Sequence, residues 1–152
     1  MALQLHRSDD LNMIPRLFLP PFSPENAELL VHATAEIWNS CDALKVAELF
    51  SEDSQWRNRS KFLAGRSEIT LFLQRKWEVE LNFRFQADLW CARNDRLAIQ
   101  VEYEWCNSAG FWYRSYGNEL WQYNKEGLIT HRFASTNDLP IKIQDRKLLW
   151  EK

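Results

Sequence analysis

Side chains able to bind a ligand or move a proton recur at alternate positions in the second half of this sequence: Tyr103 and Trp105, then Arg114, Tyr116 and Asn118, then Ser135 and Asn137. Alternation by two is the periodicity of a β-strand, so each set shares one face of its strand. Phenols such as Tyr103 and Tyr116 donate to a developing oxyanion, and a guanidinium such as Arg114 holds a carboxylate or lowers a neighbouring pKa. General acid-base work on a small, partly apolar molecule is the chemistry this set suits. The scarce component is a base. His131 is one candidate, against the ordinary reading of a packed or rim histidine, and His32 on an early helix ranks below it. Asp88 is either a pocket carboxylate or, in preference, a solvated residue of an edge strand. The candidate catalytic residues are therefore Tyr116, Arg114, His131 and Asp88. No Ser/His/Asp nucleophile arrangement, glycine-rich phosphate loop or metal-ligand spacing is present, so neither a cofactor nor a metal is expected.

The elements that must position these residues are legible from caps and turns. Residues 1–22 contain Pro15, Pro20 and Pro21 and little periodicity, and read as an irregular arm strapped to the body through Phe18, Leu19 and Phe22. Ser23-Pro24-Glu25 starts a helix, with serine as N-cap and proline at the first helical position. Leu29, Leu30, Ala33, Ile37 and Trp38 continue it at helical spacing to about Asn39. Asp42 caps a second short helix through Phe50, residues 53–59 are extended, and Gly65 to Glu68 open a third helix carrying Ile69, Leu71, Phe72, Leu73 and Trp77. From Asn82 the period changes to two, with turn signals at Asn94-Asp95, Asn107 to Gly110 and Asn124 to Gly127. Four antiparallel strands follow, near 82–92, 96–106, 111–123 and 128–138. The expectation is an α+β domain in which N-terminal helices pack on a curved antiparallel sheet that forms a cone-shaped half-barrel with an internal pocket.

Register then assigns faces. Closing the second turn symmetrically pairs Trp105 with Trp112, Tyr103 with Arg114, Val101 with Tyr116, Ile99 with Asn118 and Leu97 with Leu120, on the face carrying the apolar set. Closing the third across Lys125-Glu126 adds Ser135 beside Tyr116 and Asn137 beside Arg114, and sets Glu119 opposite Arg132 on the other face. The helix-covered face is thus polar at one end, which predicts a cavity; a buried network that satisfies itself is the competing reading. Symmetric closure of the first turn points Arg84, Gln86, Asp88 and Trp90 inward, whereas a slip or bulge reverses that strand. The outer face would then show Ser115, Gly117, Trp121, Thr130, Ala134 and Thr136, a surface on which a second copy could pack to form a homodimer.

Composition narrows the class further. The 152 residues suit one domain, and 45% hydrophobic with 26% charged residues is a globular composition. The formal net charge of −2 comes without a basic stripe, which makes nucleic acid an unlikely partner. Cys41, Cys91 and Cys106 suggest neither a disulfide framework nor a zinc site, and no apolar run approaches a membrane span, so a cytoplasmic location with no membrane partner is expected. Eight tryptophans point to aromatic cavity walls.

The element order, with Trp56-Arg57-Asn58-Arg59, Phe62 to Arg66, Lys76-Trp77, Tyr103-Glu104-Trp105, Arg114-Ser115-Tyr116-Gly117-Asn118-Glu119 and Phe133 to Pro140, resembles the nuclear transport factor 2-like (SnoaL-like) superfamily, in particular a largely bacterial branch of uncharacterised function. The resemblance runs from about Leu19 to Asp145. It implies a domain at 23–145 between the arm and a tail at 146–152, a pocket between helices and sheet, and frequent dimerisation through the sheet. It implies no single activity, because the superfamily includes isomerases, dehydratases, epoxide hydrolases, cyclases and binding proteins. Trp56 and Asn58 are similar to the aromatic-x-Asn pair of limonene epoxide hydrolase, but Arg114 is followed two residues later by Tyr116 where that enzyme has an acid. The pocket lining expected is Trp56, Asn58, Tyr103, Trp105, Arg114, Tyr116, Asn118, Ser135 and Asn137. The function expected is binding of a small organic ligand, with a cofactor-independent isomerase, dehydratase or hydrolase as the alternative and a protein-transport adaptor as a weaker third reading.

Overall fold

The computed structural model describes residues 18–149, so residues 1–17 of the expected arm and residues 150–152 of the tail lie outside the described residues. Helix α1 spans Pro24–Asn39, with the Ser23 hydroxyl accepting from the Asn26 N–H at 3.1 Å. Asp42 caps α2, Ala43–Ala47, by accepting from the Leu44 and Lys45 N–H groups. This helix is shorter than its pattern suggested, because the chain is already extended at Phe50. Strand β1 runs Phe50–Asn58 and β2 Lys61–Ala64, then come α3 at Arg66–Val79, β3 at Leu81–Arg93, β4 at Arg96–Cys106, β5 at Trp112–Tyr123 and β6 at Ile129–Ile141. The six strands form one sheet in the order β2-β1-β6-β5-β4-β3. The sheet is mixed: β1 lies parallel to β6, and the other neighbours are antiparallel.

The helices cover one face around Trp38, which stacks on Trp56 and Phe85 and meets Trp77 edge-on, with ring centroids 5.8 to 6.1 Å apart. Phe83, Ile99, Leu97 and Leu73 close the same core, each 2% exposed or less. Asn39 at the end of α1 donates to the Phe85 carbonyl and accepts from the Phe85 N–H, at 2.9 and 2.7 Å. One side chain therefore occupies two backbone groups of the edge strand β3 that would otherwise be free to pair with another chain. Of the arm's expected straps, Phe22 is buried edge-to-face against Tyr123, Phe18 packs on the core, and Leu19 is exposed.

The β3–β4 hairpin closes symmetrically across Asn94-Asp95, with Arg93 opposite Arg96, whereas the other two hairpins depart from symmetric closure. In the β4–β5 loop the Asn107 carboxamide oxygen accepts from the Ala109 and Phe111 N–H groups, and Gly110 takes a φ of 83°. The loop thus holds five residues, Asn107 to Phe111, and Cys106 faces Trp112. This one-residue difference turns every β5 side chain over. Trp121, Glu119, Gly117, Ser115 and Tyr113 point toward the helices, opposite Leu97, Ile99, Val101, Tyr103 and Trp105. Leu120, Asn118, Tyr116 and Arg114 point away. In the β5–β6 hairpin the turn and an irregularity next to Tyr123 each shift the pairs by one, two in all, which preserves facing, so Phe133, Ser135 and Asn137 share the outer face while Arg132, Ala134, Thr136 and Asp138 look inward. In β3 a bulge at Trp90 lets Phe83, Phe85, Ala87 and Leu89 point inward and leaves Asp88 exposed. A Cβ on Gly117 would lie 1.9 Å from the Ser135 carbonyl oxygen, so β5 and β6 approach this closely only because the residue is glycine.

The outer face is crossed at one end by the segment after β6. Glu104, fully buried, accepts from Arg114 at 2.7 and 3.0 Å and from the backbone N–H groups of Lys147 and Leu148 at 2.9 and 2.6 Å. Arg114 also donates to the Asp145 carbonyl at 2.7 Å, and the Arg146 guanidinium covers the Trp112 ring. The strap is therefore held by backbone groups converging on one carboxylate. Among the described residues, no helix is long and apolar enough to cross a membrane, and the three cysteines are unpaired.

Candidate functional site

On the helix side of the sheet, two arginine–carboxylate pairs stand at different depths along β5 and β6. The deep pair is Glu119 and Arg132, 2.6 Å apart and both nearly sealed from solvent. Glu119 also accepts from the Trp121 indole at 3.0 Å, and Arg132 reaches the Asn58 carboxamide oxygen at 3.4 Å. The guanidinium lies over the rings of Trp38 and Trp56, 4.9 and 4.3 Å from their centroids. A cation held this way has its charge answered on the edge by carboxylate and on the faces by ring quadrupoles. The opposite-charge pairing of residues 119 and 132 is thus real. It is diagonal rather than directly across, and it is inside rather than outside.

The open pair is Arg59 and Asp138. Arg59 follows Asn58 with a φ of 57° and meets both oxygens of Asp138, at 2.8 and 2.5 Å. Asp138 also accepts from the Ser115 hydroxyl at 2.5 Å, and Ser115 accepts from the Trp105 indole at 3.0 Å. Both members of the pair are about one-third exposed, with side-chain values of 38% and 34%. Trp105 stacks on Tyr113, and Tyr103 lies beside Phe83. From α3, Lys76 is paired with Glu80 at 2.7 Å and sits over the rings of Tyr103 and Phe83. Between the two pairs the inward residues of β5 and β6 are small: Gly117, Ala134 and Thr136.

Electrostatics at this end are specific in sign. Arg59 holds the Asp138 carboxyl below the usual carboxylate range, against the opposing effect of partial burial and with help from Ser115. The same contact raises the already high pKa of Arg59. A depressed folded-state pKa contributes stability above the ordinary carboxylate value, and that stability is lost as pH falls through the folded value. Thermal melts of wild type and Asp138→Asn should therefore converge below about pH 4 and separate above it; parallel curves across the range would show that the pair contributes nothing. Burial pushes the nearby Cys41 thiol up to about 11, with Lys76 pulling it down, so this cysteine is not an activated nucleophile.

The sequence-derived site residues divide between the two sides of the sheet. Trp56, Asn58, Tyr103 and Trp105 face the helices. Arg114, Tyr116, Asn118, Ser135 and Asn137 face away, because the odd loop reverses β5 and β6 keeps step with it. Tyr116, Asn118, Ser135 and Asn137 nevertheless come together with Asp88, in a groove of about 720 Å³ on the outer face that Arg57 also lines. Arg114 is engaged by Glu102 and Glu104. His131 is half-buried on the outer face beside Phe133, with Nδ1 3.0 Å from the Thr130 hydroxyl, and His32 is exposed on α1. Sequence reasoning missed Arg59, Ser115, Asp138 and Lys76, which come from the turn after β1, from β5, from β6 and from α3; the symmetric register sets Ser115 on the outer face, and the loop parity inverts it. Among the described residues no group of histidine, cysteine and carboxylate side chains could hold a metal.

Residues 20–149 match a family described as "Protein of unknown function (DUF1348)". No curated protein matches the sequence significantly. In fold the chain is similar to the epoxide hydrolase/cyclase-like enzyme SalBIII of pyran ring formation in the polyether salinomycin, at TM-score 0.63 and 13% identity over 80% of this chain and 95% of that one. It is similar to RV0760c of Mycobacterium tuberculosis, solved with estradiol-17beta-hemisuccinate, at TM-score 0.61 and 15% identity over 70% and 90%. A third similar structure is a hypothetical protein of Catenulispora acidiphila with a ketosteroid isomerase-like fold, solved with trimethylamine, at TM-score 0.59 and 19% identity over 78% and 86%. At these identities the likeness shows the fold, which is the nuclear transport factor 2-like (SnoaL-like) cone.

Proposed function

The chain belongs to the DUF1348 family, whose function is unknown, and we propose that it binds a small organic molecule at the open end of the cone without transforming it. The observation that carries this reading is the Arg59–Asp138–Ser115 cluster, whose ion pair is about one-third exposed beside the rings of Tyr103 and Trp105. Such an end suits an amphipathic ligand: a flat apolar body against the rings, and a hydrogen-bonding head at the guanidinium and carboxylate. The buried indole N–H groups of Trp56 and Trp77 have no partner among the described residues, which is uncommon for buried donors and suits an interior that receives a polar guest. The ligand of one similar structure, a steroid hemisuccinate, falls within this class.

Binding is preferred to catalysis because the helix-side carboxylates Asp138, Glu119 and Glu80 are each committed to an arginine or a lysine, His32 is exposed on α1 and His131 lies on the outer face. A carboxylate held below its ordinary pKa is a weak base at neutral pH. The test is a thermal-shift screen with small carboxylates, amines, lactones, epoxides and cyclic ketones. Ligands that stabilise wild type should lose their effect with Asp138→Asn and Arg59→Met and keep it with the outer-face variant Tyr116→Phe. The reverse pattern overturns the placement, and turnover of any stabilising epoxide or lactone overturns the non-catalytic reading.

A further inference from the structure

Lys76 stands in the last turn of α3 and Glu80 immediately beyond its end, 2.7 Å apart. Pairs spaced in this way stabilise a helix at its surface and need no further contact. This pair is instead drawn inward, with side chains only 10% and 15% exposed. The ammonium lies over two rings of the sheet, 4.5 Å from the centroid of Tyr103 and 5.2 Å from that of Phe83. A lysine stem is long enough to carry its head to water; here it turns toward the sheet, and a carboxylate and two ring faces surround the head.

The surroundings of that head have the composition of a site for an organic cation: one carboxylate answers the charge, and two π faces replace water around it. The cage lies at the same end of the sheet as Trp105 and the Arg59–Asp138 pair, because Leu81, the first residue of β3, is opposite Cys106, and Asp138 is opposite Ser115. Charge decides what fits it. With Lys76 swung out to water, Glu80 has no other cationic partner among the described residues. Asp138 stays balanced by Arg59. Cys41, the thiol on which both Lys76 and Glu80 act electrostatically, is neutral, since burial pushes it up to about 11. The vacated cage therefore carries one uncompensated negative charge, which a cation neutralises and a neutral or anionic head does not.

We infer that the Lys76 head is an internal stand-in for the cation of a ligand: the open end takes a molecule bearing an organic ammonium group, which displaces Lys76 from the rings of Tyr103 and Phe83 and pairs with Glu80. The inference rests on the reading of that end as a ligand site and names the class of ligand. Lys76 regains its hydration as it leaves, so one ammonium replaces another and no buried charge is left unpaired. The space released is that of a lysine head and its nearest methylenes, which admits a methylated ammonium and directs the rest of the ligand toward Trp105 and the Arg59–Asp138 pair. An internal competitor lowers apparent affinity by the fraction of molecules in which the cage is open, so its removal tightens binding.

NMR titration of the full chain with trimethylammonium, choline and benzyltrimethylammonium tests this, with the alcohol in which carbon replaces the choline nitrogen as an uncharged control. In wild type the Lys76 ε-methylene protons, shielded by the two rings, should move toward the position of a solvated lysine as each amine saturates, a readout independent of how any variant folds. The alcohol should leave them in place. Relative to wild type, Lys76→Met should bind the amines roughly tenfold more tightly and Glu80→Gln roughly tenfold more weakly. Amines that bind while the Lys76 resonances stay in place, or that bind Lys76→Met and Glu80→Gln equally well, overturn the displacement; loss of that binding with Asp138→Asn would still leave the open end as the ligand site. Failure of every amine to bind both wild type and Lys76→Met overturns the inference outright. The open end then stands only if carboxylates, lactones, epoxides or ketones bind there in a manner that Asp138→Asn abolishes.

Discussion

Arg132→Met loses about 3–5 kcal/mol of stability, as expected when one member of a buried ion pair is removed and the other is left uncompensated. Glu119 is 2% exposed and its carboxylate is held between the Arg132 guanidinium and the Trp121 indole. Methionine fills much of the volume that the arginine occupies over the Trp38 and Trp56 rings, so the loss reports charge rather than a cavity. The discriminating measurement is the double variant Arg132→Met with Glu119→Leu, compared with both singles by urea denaturation. Removing the second charge should restore most of the loss, since apolar replacements of a whole buried pair are often neutral. Strict additivity of the two single effects would mean that the residues do not act on one another, contrary to their 2.6 Å contact.

Glu104→Ala is the second large effect, about 3 kcal/mol, with a spatial signature of its own. Its carboxylate gathers Arg114 and two backbone donors of the strap; Arg114 keeps Glu102 as a second carboxylate at 3.2 Å, whereas among the described residues the two N–H groups have this acceptor alone. The variant should therefore unfasten residues 142–149 before the domain melts, and amide exchange at Lys147 and Leu148 should accelerate in conditions where β4 and β5 stay protected. Retained protection at those two amides would show that the strap is held by contacts other than this carboxylate. Arg114→Ala should release the strap less completely, because the two backbone bonds to Glu104 survive it.

The order of elements was readable because its signals are local. Serine before proline at residues 23 and 24 starts α1, and asparagine or glycine marks each hairpin at 94, 107–110 and 124–127. Strand β2 was not anticipated: Lys61–Ala64 is four residues long, and Phe62 on it is exposed, so it carries no buried alternation to recognise. Facing was the less readable quantity. The Asn107 side chain chooses a five-residue loop by bonding two particular N–H groups, and nothing in composition distinguishes that loop from a six-residue one. In β3 both readings were available, and the apolar set Phe83, Phe85, Ala87 and Leu89 wins because the bulge at Trp90 lets it reach the core. The open-end cluster was hidden for a different reason. Arg59 and Asp138 are 79 positions apart and meet only because β1 runs parallel to β6, a crossover no local pattern announces.

The five-residue loop after β4 acts on this protein as a reading frame acts on a message. It sets which of two chemical texts, the charged and aromatic one or the amide and hydroxyl one, is presented to the inside of the cone. One residue added or lost there would exchange Glu119, Ser115 and Gly117 for Asn118, Tyr116 and Arg114 along the whole of β5 unless a compensating bulge restored the phase. Relatives that vary this turn by an odd number of residues should thus carry either such a bulge or the opposite alternation in the strand that follows.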